Sequence, residues 1–372
     1  MLSQMRYTRL WALILALSAT ACSNSDSSTG PADVASFDAA RLEADAQAME
    51  NTLAAPVLQS FAVLSGSVSA GPFARAAMQS SSDLLAAGPA LSQADAKRVA
   101  TALAGRVMSG VPASANDQRV IPSEVLGVTL VYDPAARQYV PAPNRSGAPT
   151  NGVRFILYAV NPVTHQPIVT TEVGYADLID TGDARPSSLA LKLIVVSGGV
   201  TYLDYSVTAS GSEQSGALEV AGFVTDGETR LDFNINALGR ETGSGRALNV
   251  EFEFAIPGRD FRLEADVVAE HSTVSASQEI DLVIESGETT LRFDVEENER
   301  TVNASVRVNG QLFATISGDR QHPSVRGAGG RELTLDEAHA LQRMIGLVEE
   351  VFRLFESLLA PVVGMLELGG NQ

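Results

Sequence analysis

One thiol and four histidines are the side chains in this sequence best suited to nucleophilic or metal chemistry. The thiol belongs to Cys22, and the histidines are His165, His271, His322 and His339. No two histidines have the spacing of ligands to one metal ion, and no serine lies in the glycine-flanked frame of a nucleophile elbow. We therefore expect a protein that is not an enzyme and has no metal or other cofactor.

A short acidic segment is the remaining candidate for metal chemistry. Asp177, Asp180 and Asp183 recur at every third position around Thr181 and Gly182. Clustered carboxylates are what Ca²⁺ prefers, but this spacing does not match the EF-hand loop. A solvated acidic loop is the favoured interpretation.

The segment that precedes Cys22 has the three parts of an export signal. Arg6 and Arg9 make its start positive, residues 10–17 (LWALILAL) are apolar, and residues 18–21 are small. The apolar run is too short to cross a bilayer as a helix, and the charged start and small-residue end are typical of a cleavable signal. Residues 1–21 are therefore predicted to be a signal peptide.

The residues Ala19-Thr20-Ala21-Cys22 resemble the lipobox of bacterial lipoprotein precursors. The resemblance implies a diacylglycerol group on the Cys22 sulfur, cleavage before Cys22, and acylation of the new amine, for example by palmitate. Several acyl chains anchor a protein stably to a membrane. Ser23 at the sorting position implies the outer membrane, on its periplasmic side or at the cell surface. An ordinary secretory signal with a chance cysteine is the alternative.

Composition narrows the possible partners. The formal charge is −18 and the sequence pI is about 4.6. Such an acidic chain repels the phosphates of nucleic acids, so we expect no nucleic-acid partner. With Cys22 lipidated there is no thiol left for a disulfide, and a domain of roughly 300 residues can bury a sufficient core without one.

Hydrophobic spacing divides the mature chain into three parts. Residues 22–36 are small and polar and predict a lipidated flexible tether. Residues 37–118 predict a helical segment, in which Pro56 divides the first helix. Two further helices are expected in this segment, from Pro72 to Ala87 and from Ser92 to Val107.

Residues 119–372 predict an antiparallel β-meander with a C-terminal helix. Apolar and polar residues alternate over most of this part, as in Leu231, Phe233, Ile235 and Ala237 on one side of a strand, which is typical of strands with one buried and one wet face. The short turns between strands, such as Asn309-Gly310, allow only antiparallel neighbours. The fold class is therefore α+β, mainly β, with about ten to fourteen strands.

The last predicted element is an amphipathic helix over residues 334–360, which begins with a capping box of Thr334 and Glu337. The meander has one apolar face, which has to be covered. It could close into a barrel, remain an open half-barrel over this helix, or turn its apolar face to lipid as a membrane-spanning barrel. The low aromatic content and the many charges on the other face argue against the third arrangement.

These features lead to two main hypotheses for a membrane-anchored envelope lipoprotein. In the first, the protein is not an enzyme and carries an apolar, lipid-like ligand between the sheet and the C-terminal helix. The residues expected to line that ligand cavity are Leu341, Ile345, Val348, Phe352 and Phe355. In the second, it is an assembly protein that binds a partner protein through its acidic face or a sheet edge. A hydrolase of envelope polymers is a third class, for which no cleft is identified.

Overall fold

The protein is described here from a computed structural model, which covers residues 38–67, 121, 126–182, 188–212, 214–243, 245–272, 275–320 and 322–345. Cys22, the predicted signal and tether, and the helices predicted at Pro72–Ala87 and Ser92–Val107 lie outside these residues. Within them the chain forms one sheet of fifteen strands and three helices.

Two helices come before the sheet and one follows it. α1 spans Ala39–Leu53, α2 spans Pro56–Ser67, and the described part of α3 spans 335–345. Pro56 occupies the first position of α2, where the missing N–H leaves no helical hydrogen bond unmade. The predicted division of the first helix at Pro56 is confirmed.

The strands follow one another along the sheet with short connections. Their bounds are β1 Val128–Asp133, β2 Gln138–Pro141, β3 Gly152–Val160, β4 Pro167–Asp180, β5 Ser188–Ser197, β6 Val200–Gly211, β7 Ser215–Thr225, β8 Arg230–Thr242, β9 Gly245–Ile256, β10 Phe261–Ser272, β11 Ala276–Ser286, β12 Thr289–Asn298, β13 Thr301–Val308, β14 Gln311–Asp319 and β15 Ser324–Gly327. From β3 to β15 each strand pairs antiparallel with the next. The predicted up-and-down meander is confirmed.

Two details differ from the sequence-based expectation. The sheet has fifteen strands, one more than the largest number expected, and β15 at one edge is only four residues long and carries too little alternation to be recognised. β1 also pairs parallel with β3, at Val128–Leu130 against Val153–Phe155, while β2 forms the outer edge. The long connection from β2 to β3 permits this return, which a tight hairpin would forbid.

The turn between β13 and β14 illustrates how local residues set the register. Asn309 and Gly310 both have positive φ, at 50° and 80°. This is the backbone of a two-residue hairpin turn whose twist matches that of the flanking strands. Thr290 on β12 also donates its backbone N–H to Asn309 Oδ1 at 2.8 Å, so the turn is attached to the neighbouring strand.

The sheet is open, with its two edges at β2 and β15, and one of its faces is apolar. On β10, Phe261, Leu263 and Ala265 are buried, while Arg262 and Glu264 between them are exposed. All three helices contribute to the same buried cluster as the apolar face. Of the arrangements considered from sequence, the open sheet covered by helices is the one observed.

β3 is an exception, because both of its faces are buried. Val153 and Leu157 belong to the main cluster beneath the helices, whereas Ile156 and Tyr158 pack in a second cluster on the opposite face. A strand with two buried faces reads as a continuous apolar run without alternation. This explains the sequence VRFILYAV in β3.

Candidate functional site

The candidate site is the layer between the apolar face of the sheet and the helices α1, α2 and α3, called the interior below. α2 packs on β3, β4 and β5, and α1 packs on β7, β8 and β11. The two helices therefore cover different parts of the sheet, and β6 lies between the strands that they contact. Side chains of the protein itself fill the described part of this layer, since Leu157, Leu231, Phe254 and Leu341 are all 0% exposed.

The structure places two of the five residues predicted to line a ligand cavity. Leu341 on α3 is buried in the main cluster, and Ile345 packs against the same cluster while partly exposed. Val348, Phe352 and Phe355 lie outside the described residues. Leu341 and Ile345 are therefore at the sheet–helix interface, as the amphipathic pattern predicted, and the cavity itself stays a prediction.

A tyrosine on β6 is the unusual polar group of this layer. Tyr205 is 1% exposed, and its hydroxyl has no hydrogen-bond partner among the described residues. Burial raises the pKa of Tyr205 well above its ordinary value, so this hydroxyl stays protonated. An unsatisfied buried hydroxyl is unfavourable by about 1–3 kcal/mol, and such a group in a native fold calls for an explanation.

The backbone around Tyr205 is shaped to admit its ring. Tyr205 lies opposite Gly222 on β7, and Gly222 lies opposite Phe233 on β8. The rings of Tyr205 and Phe233 meet across the glycine, with their centroids 5.9 Å apart. A Cβ at Gly222 would lie 2.4 Å from Tyr205 Cβ and 2.2 Å from the backbone oxygen of Asp204, which is too close for any other residue.

A buried carboxylate fastens α1 over the interior. Asp45 on α1 is 1% exposed, and its Oδ1 accepts from Arg259 Nε at 2.7 Å. Its Oδ2 accepts from Ser286 Oγ at 2.6 Å. One turn earlier, Arg41 donates from Nη2 to the backbone oxygen of Arg259 at 2.7 Å. We call the three side chains Asp45, Arg259 and Ser286 the Asp45 lock.

Polar residues also lie on the inner side of β11 and β12 at the end opposite the Asp45 lock. Gln278 on β11 and Glu297 on β12 lie opposite each other and are both 7% exposed, although they point to the apolar side of the sheet. Arg320, after β14, forms an ion pair with Glu297. The inner side of β11 and β12 therefore has polar residues at both ends, Ser286 at one and Gln278 and Glu297 at the other, and apolar residues between them.

The opposite face of the sheet carries a row of acids. Glu251, Asp266, Asp281 and Asp294 lie directly opposite one another on β9, β10, β11 and β12, and we call them the carboxylate row. Arg292 pairs with Asp281 and Asp294, but no ion pair reaches the other two from the described residues. Like charges directly opposite one another on a sheet are unfavourable.

The expectation of a solvated acidic loop is wrong for Asp177 and Asp180, because both lie on strand β4 and Asp177 is buried. Asp177 is bound by Arg154 at 2.7 Å to each carboxylate oxygen, and the Arg154 guanidinium stacks on the Tyr175 ring at 3.6 Å. Asp180 Oδ1 accepts from the backbone N of Gly182 at 3.1 Å. Asp183 lies outside the described residues. Among the residues that the structure describes, no group of three or more histidines, cysteines or acids is placed to hold a metal ion.

The Asp45 lock and the Tyr205 hydroxyl were not predicted from sequence. Asp45 lies three residues after Leu42 and four before Met49, so it belongs to the buried stripe of α1. A charged residue inside an apolar stripe was the available signal. For Tyr205, alternation along β6 predicts an inward side chain, but no pattern reveals that its hydroxyl lacks a partner.

The fold defines a helix-covered, open antiparallel meander, and comparison with known proteins adds no relative. No protein-family model, no curated protein and no solved structure matches the chain. In the described part of the chain, no helix combines the length and hydrophobicity needed to cross a membrane.

Proposed function

We propose that the protein is a non-enzymatic lipoprotein of the cell envelope, anchored to the outer membrane through Cys22, that binds an apolar acyl-chain ligand in the interior. The buried hydroxyl of Tyr205 is the observation that supports an acyl-chain ligand. It is a hydrogen-bond donor without a partner among the described residues, away from the polar groups at the two ends of the sheet, and the carbonyl oxygen of an acyl ester or fatty acid would satisfy it.

The position of Tyr205 supports this role. Tyr205 belongs to β6, which lies between the strands that α1 contacts and those that α2 contacts. The surrounding cluster is made of aliphatic and aromatic side chains, which suit an acyl chain. One polar contact in an apolar layer is the pattern expected of a site that orients a lipid by its head.

Ligand entry requires that side chains of the helices separate from side chains of the sheet. The interior residues are buried by other side chains of the chain itself, so an acyl chain can enter only where a helix separates from the sheet. The Asp45 lock holds α1 at the end of the sheet that carries the β9–β10 and β11–β12 turns. Opening of the interior is therefore expected to begin with breakage of this lock or with movement of α3.

The test is lipid binding by the Cys22→Ser protein, which keeps the rest of the mature chain and carries no covalent acyl group to confuse the measurement. Native mass spectrometry is expected to show copurified acyl lipid, and a fluorescent long-chain fatty acid (cis-parinaric acid) is expected to bind. Tyr205→Phe should weaken binding of the probe by about tenfold, the equivalent of one hydrogen bond.

Tyr139→Phe is the matched control for that experiment. It also removes one tyrosine hydroxyl, from a half-buried side chain, but Tyr139 Oη donates to the backbone oxygen of Ile156 at 2.8 Å and Tyr139 belongs to β2, at the edge of the sheet. We expect Tyr139→Phe to leave probe affinity unchanged. A wild-type interior with neither copurified lipid nor probe binding would refute the proposed ligand.

A second candidate function is binding of a basic partner protein to the charged face, favoured by the carboxylate row. Glu251 and Asp266 are exposed and form no ion pair with the described residues, so this face carries uncompensated negative charge. A photoreactive residue at position 266 should give a discrete protein adduct in cells that is lost with Glu251→Gln. The same residue at Glu288, on a turn, should give none.

A further inference from the structure

The two ends of the sheet are distinguished by their turns. The turns between β5 and β6, β7 and β8, β9 and β10, and β11 and β12 lie at one end, which we call the Arg259 end. The turns between β8 and β9 and between β12 and β13 lie at the other, the Glu299 end. Since neighbouring strands are antiparallel, the β3–β4 connection also lies at the Arg259 end.

The N-terminal part of the chain reaches the sheet at the Arg259 end. Arg41, in the first turn of α1, contacts the backbone of Arg259 and approaches Asp260 at 3.7 Å. Fifteen residues separate Cys22 from Asp38, which span at most about 50 Å. β12, from Thr289 to Asn298, is about 33 Å long. A tether of this length could reach either end, and the Arg259 end has the shorter path to the anchor because α1 begins there.

An apolar projection lies at this same end. β4 pairs with β5 only from Tyr175 onward, so the part of the β3–β4 hairpin from Ala159 to Thr171 extends beyond the β5–β6 turn. We call residues 159–171 the arm. Val163 at its tip is 84% exposed, and Ile168 and Val169 are each 37% exposed. At the neighbouring β5–β6 turn, Val200 is 47% exposed.

The arm differs from the rest of the molecule in charge. From Ala159 to Thr171 it contains no acid, lysine or arginine, in a chain with a formal charge of −18. Residues 195–201, which include the β5–β6 turn, are also uncharged. Other turns at the Arg259 end carry acids, such as Asp226, Glu228 and Glu288. The arm and the β5–β6 turn therefore carry no charge that anionic headgroups would repel.

Hydrogen bonds hold the tip of the arm in one shape. Asn161 Oδ1 accepts from the backbone N–H groups of Val163 and Thr164, at 2.9 and 3.1 Å, and His165 donates its backbone N–H to Asn161 O at 2.8 Å. Tyr132 on β1 donates from Oη to Gln166 Oε1 at 3.0 Å. An ordered tip loses little conformational entropy when it contacts another surface.

We infer that the arm, with Val163 at its tip, contacts the lipid surface to which Cys22 is anchored, so that the Arg259 end faces the membrane and the Glu299 end faces away. This inference rests on the proposed anchorage and goes beyond it by naming a second membrane contact. An exposed apolar tip near an anchored lipid enters the headgroup boundary because burial of its side chain is favourable there.

Tryptophan fluorescence tests the contact directly. The only tryptophan of the chain is Trp11, in the predicted signal, so Val163→Trp gives the mature protein a single emitter. The lipidated protein is reconstituted in phosphatidylethanolamine–phosphatidylglycerol vesicles with or without brominated acyl chains. We expect emission to shift to the blue and bromolipid to quench Trp at 163 at least about twofold more than in the control.

Leu238→Trp is the matched control, because Leu238 is 51% exposed and lies on β8 towards the Glu299 end. An introduced tryptophan could itself draw the arm to the lipid, so a second measurement uses protein without it. Amide exchange of residues 161–169 is compared between the lipidated wild-type protein on vesicles and the Cys22→Ser protein in solution. We expect slower exchange on vesicles for the arm, and no change for the β12–β13 turn.

The outcomes separate the two proposals. If the protein carries no acyl group and does not remain on vesicles, the anchorage is wrong. If it remains on vesicles through Cys22 while Trp at 163 is quenched no more than Trp at 238, or exchange of the arm is unchanged, the arm contact is wrong and the anchorage stands.

Discussion

Asp45 shows how one buried charge can decide where a helix lies. Its carboxylate is inaccessible to solvent and depends on Arg259 and Ser286 for all its described hydrogen bonds, whereas the Arg259 side chain is 37% exposed. The two partners of the ion pair are therefore not equivalent. Water can replace Asp45 as the partner of Arg259, whereas Asp45, at 1% exposure, depends on Arg259 to offset the cost of burying its charge.

This asymmetry gives a prediction for stability. We expect Arg259→Ala to lower the free energy of unfolding by about 3–5 kcal/mol, because it leaves an unpaired buried carboxylate. Asp45→Ala should lower it by less, about 2–3 kcal/mol, the value of charged hydrogen bonds lost at Ser286 and Arg259. Urea unfolding of the variants measures both.

Arg262→Ala is the control, because it removes a nearby arginine at the start of β10 that does not contact Asp45. Arg262 pairs with Glu253 and Glu264 on the exposed face, where ion pairs contribute about 1 kcal/mol or less. If Arg259→Ala is no more destabilising than Arg262→Ala, the Asp45 lock does not hold α1.

At the scale of elements, the start of α3 combines a cap with an ion pair. Glu337 Oε2 accepts from the backbone N of Thr334 at 2.9 Å, and Thr334 Oγ1 accepts from the backbone N of Glu337 at 3.3 Å, so the predicted capping box is confirmed. Arg331 also binds the Glu337 carboxylate, with Nη1 to Oε2 at 2.7 Å. Its guanidinium lowers the pKa of Glu337 to about 2.

The lowered pKa predicts an acid-sensitive contribution to stability. A carboxyl whose folded pKa is depressed contributes fully above its unfolded pKa of 4.5 and loses that contribution as pH falls towards its folded pKa of about 2. Glu337→Gln keeps a cap but loses the ion pair. We expect it to be less stable than wild type by about 1 kcal/mol near pH 6, a modest value because Arg331 is well exposed.

Unfolding followed from about pH 6 to pH 3 measures this effect, with the difference between wild type and Glu337→Gln shrinking below pH 4.5. Glu332→Gln is the control, because Glu332 is largely exposed and its ion pair with Arg326 is long, at 3.5 Å. A difference for Glu337→Gln that does not change with pH would show that the ion pair contributes nothing.

The elements themselves follow closely from local pattern. Period-two alternation and turn residues predict the strands from β6 to β14, because each of these strands has one apolar and one solvated face. β3 is the informative exception, since burial of both faces removes alternation. The parallel contact of β1 with β3 could not be predicted, because it depends on the path of a connection and not on the residues of either strand.

At the scale of the whole molecule, the proposed membrane attachment depends on one residue, Cys22. We expect mature protein to begin at Cys22 and to carry diacylglyceryl and acyl groups, which intact-mass spectrometry and incorporation of labelled palmitate detect. Cys22→Ser should abolish incorporation and release the protein from the membrane fraction, because anchorage requires two or more acyl chains.

Ser23→Ala is the matched control, as it alters the neighbouring residue without removing the thiol. It should keep full acylation and membrane attachment. Retention of Cys22→Ser in the membrane fraction with wild-type efficiency would contradict anchorage by acylation and would point to an uncleaved signal as the anchor.

Hydrophobic period, turn geometry and residue type are local properties, and they were enough to predict most of the strands, the one-sided apolar sheet and the lipidation proposed at Cys22. Three features emerged only in the folded chain: the sheet stays open beneath three helices, Asp45 meets Arg259 and Ser286 more than 200 residues away, and the arm lies at the end where α1 begins. These are contacts between distant segments, and their energies depend on burial and register, which no local pattern encodes.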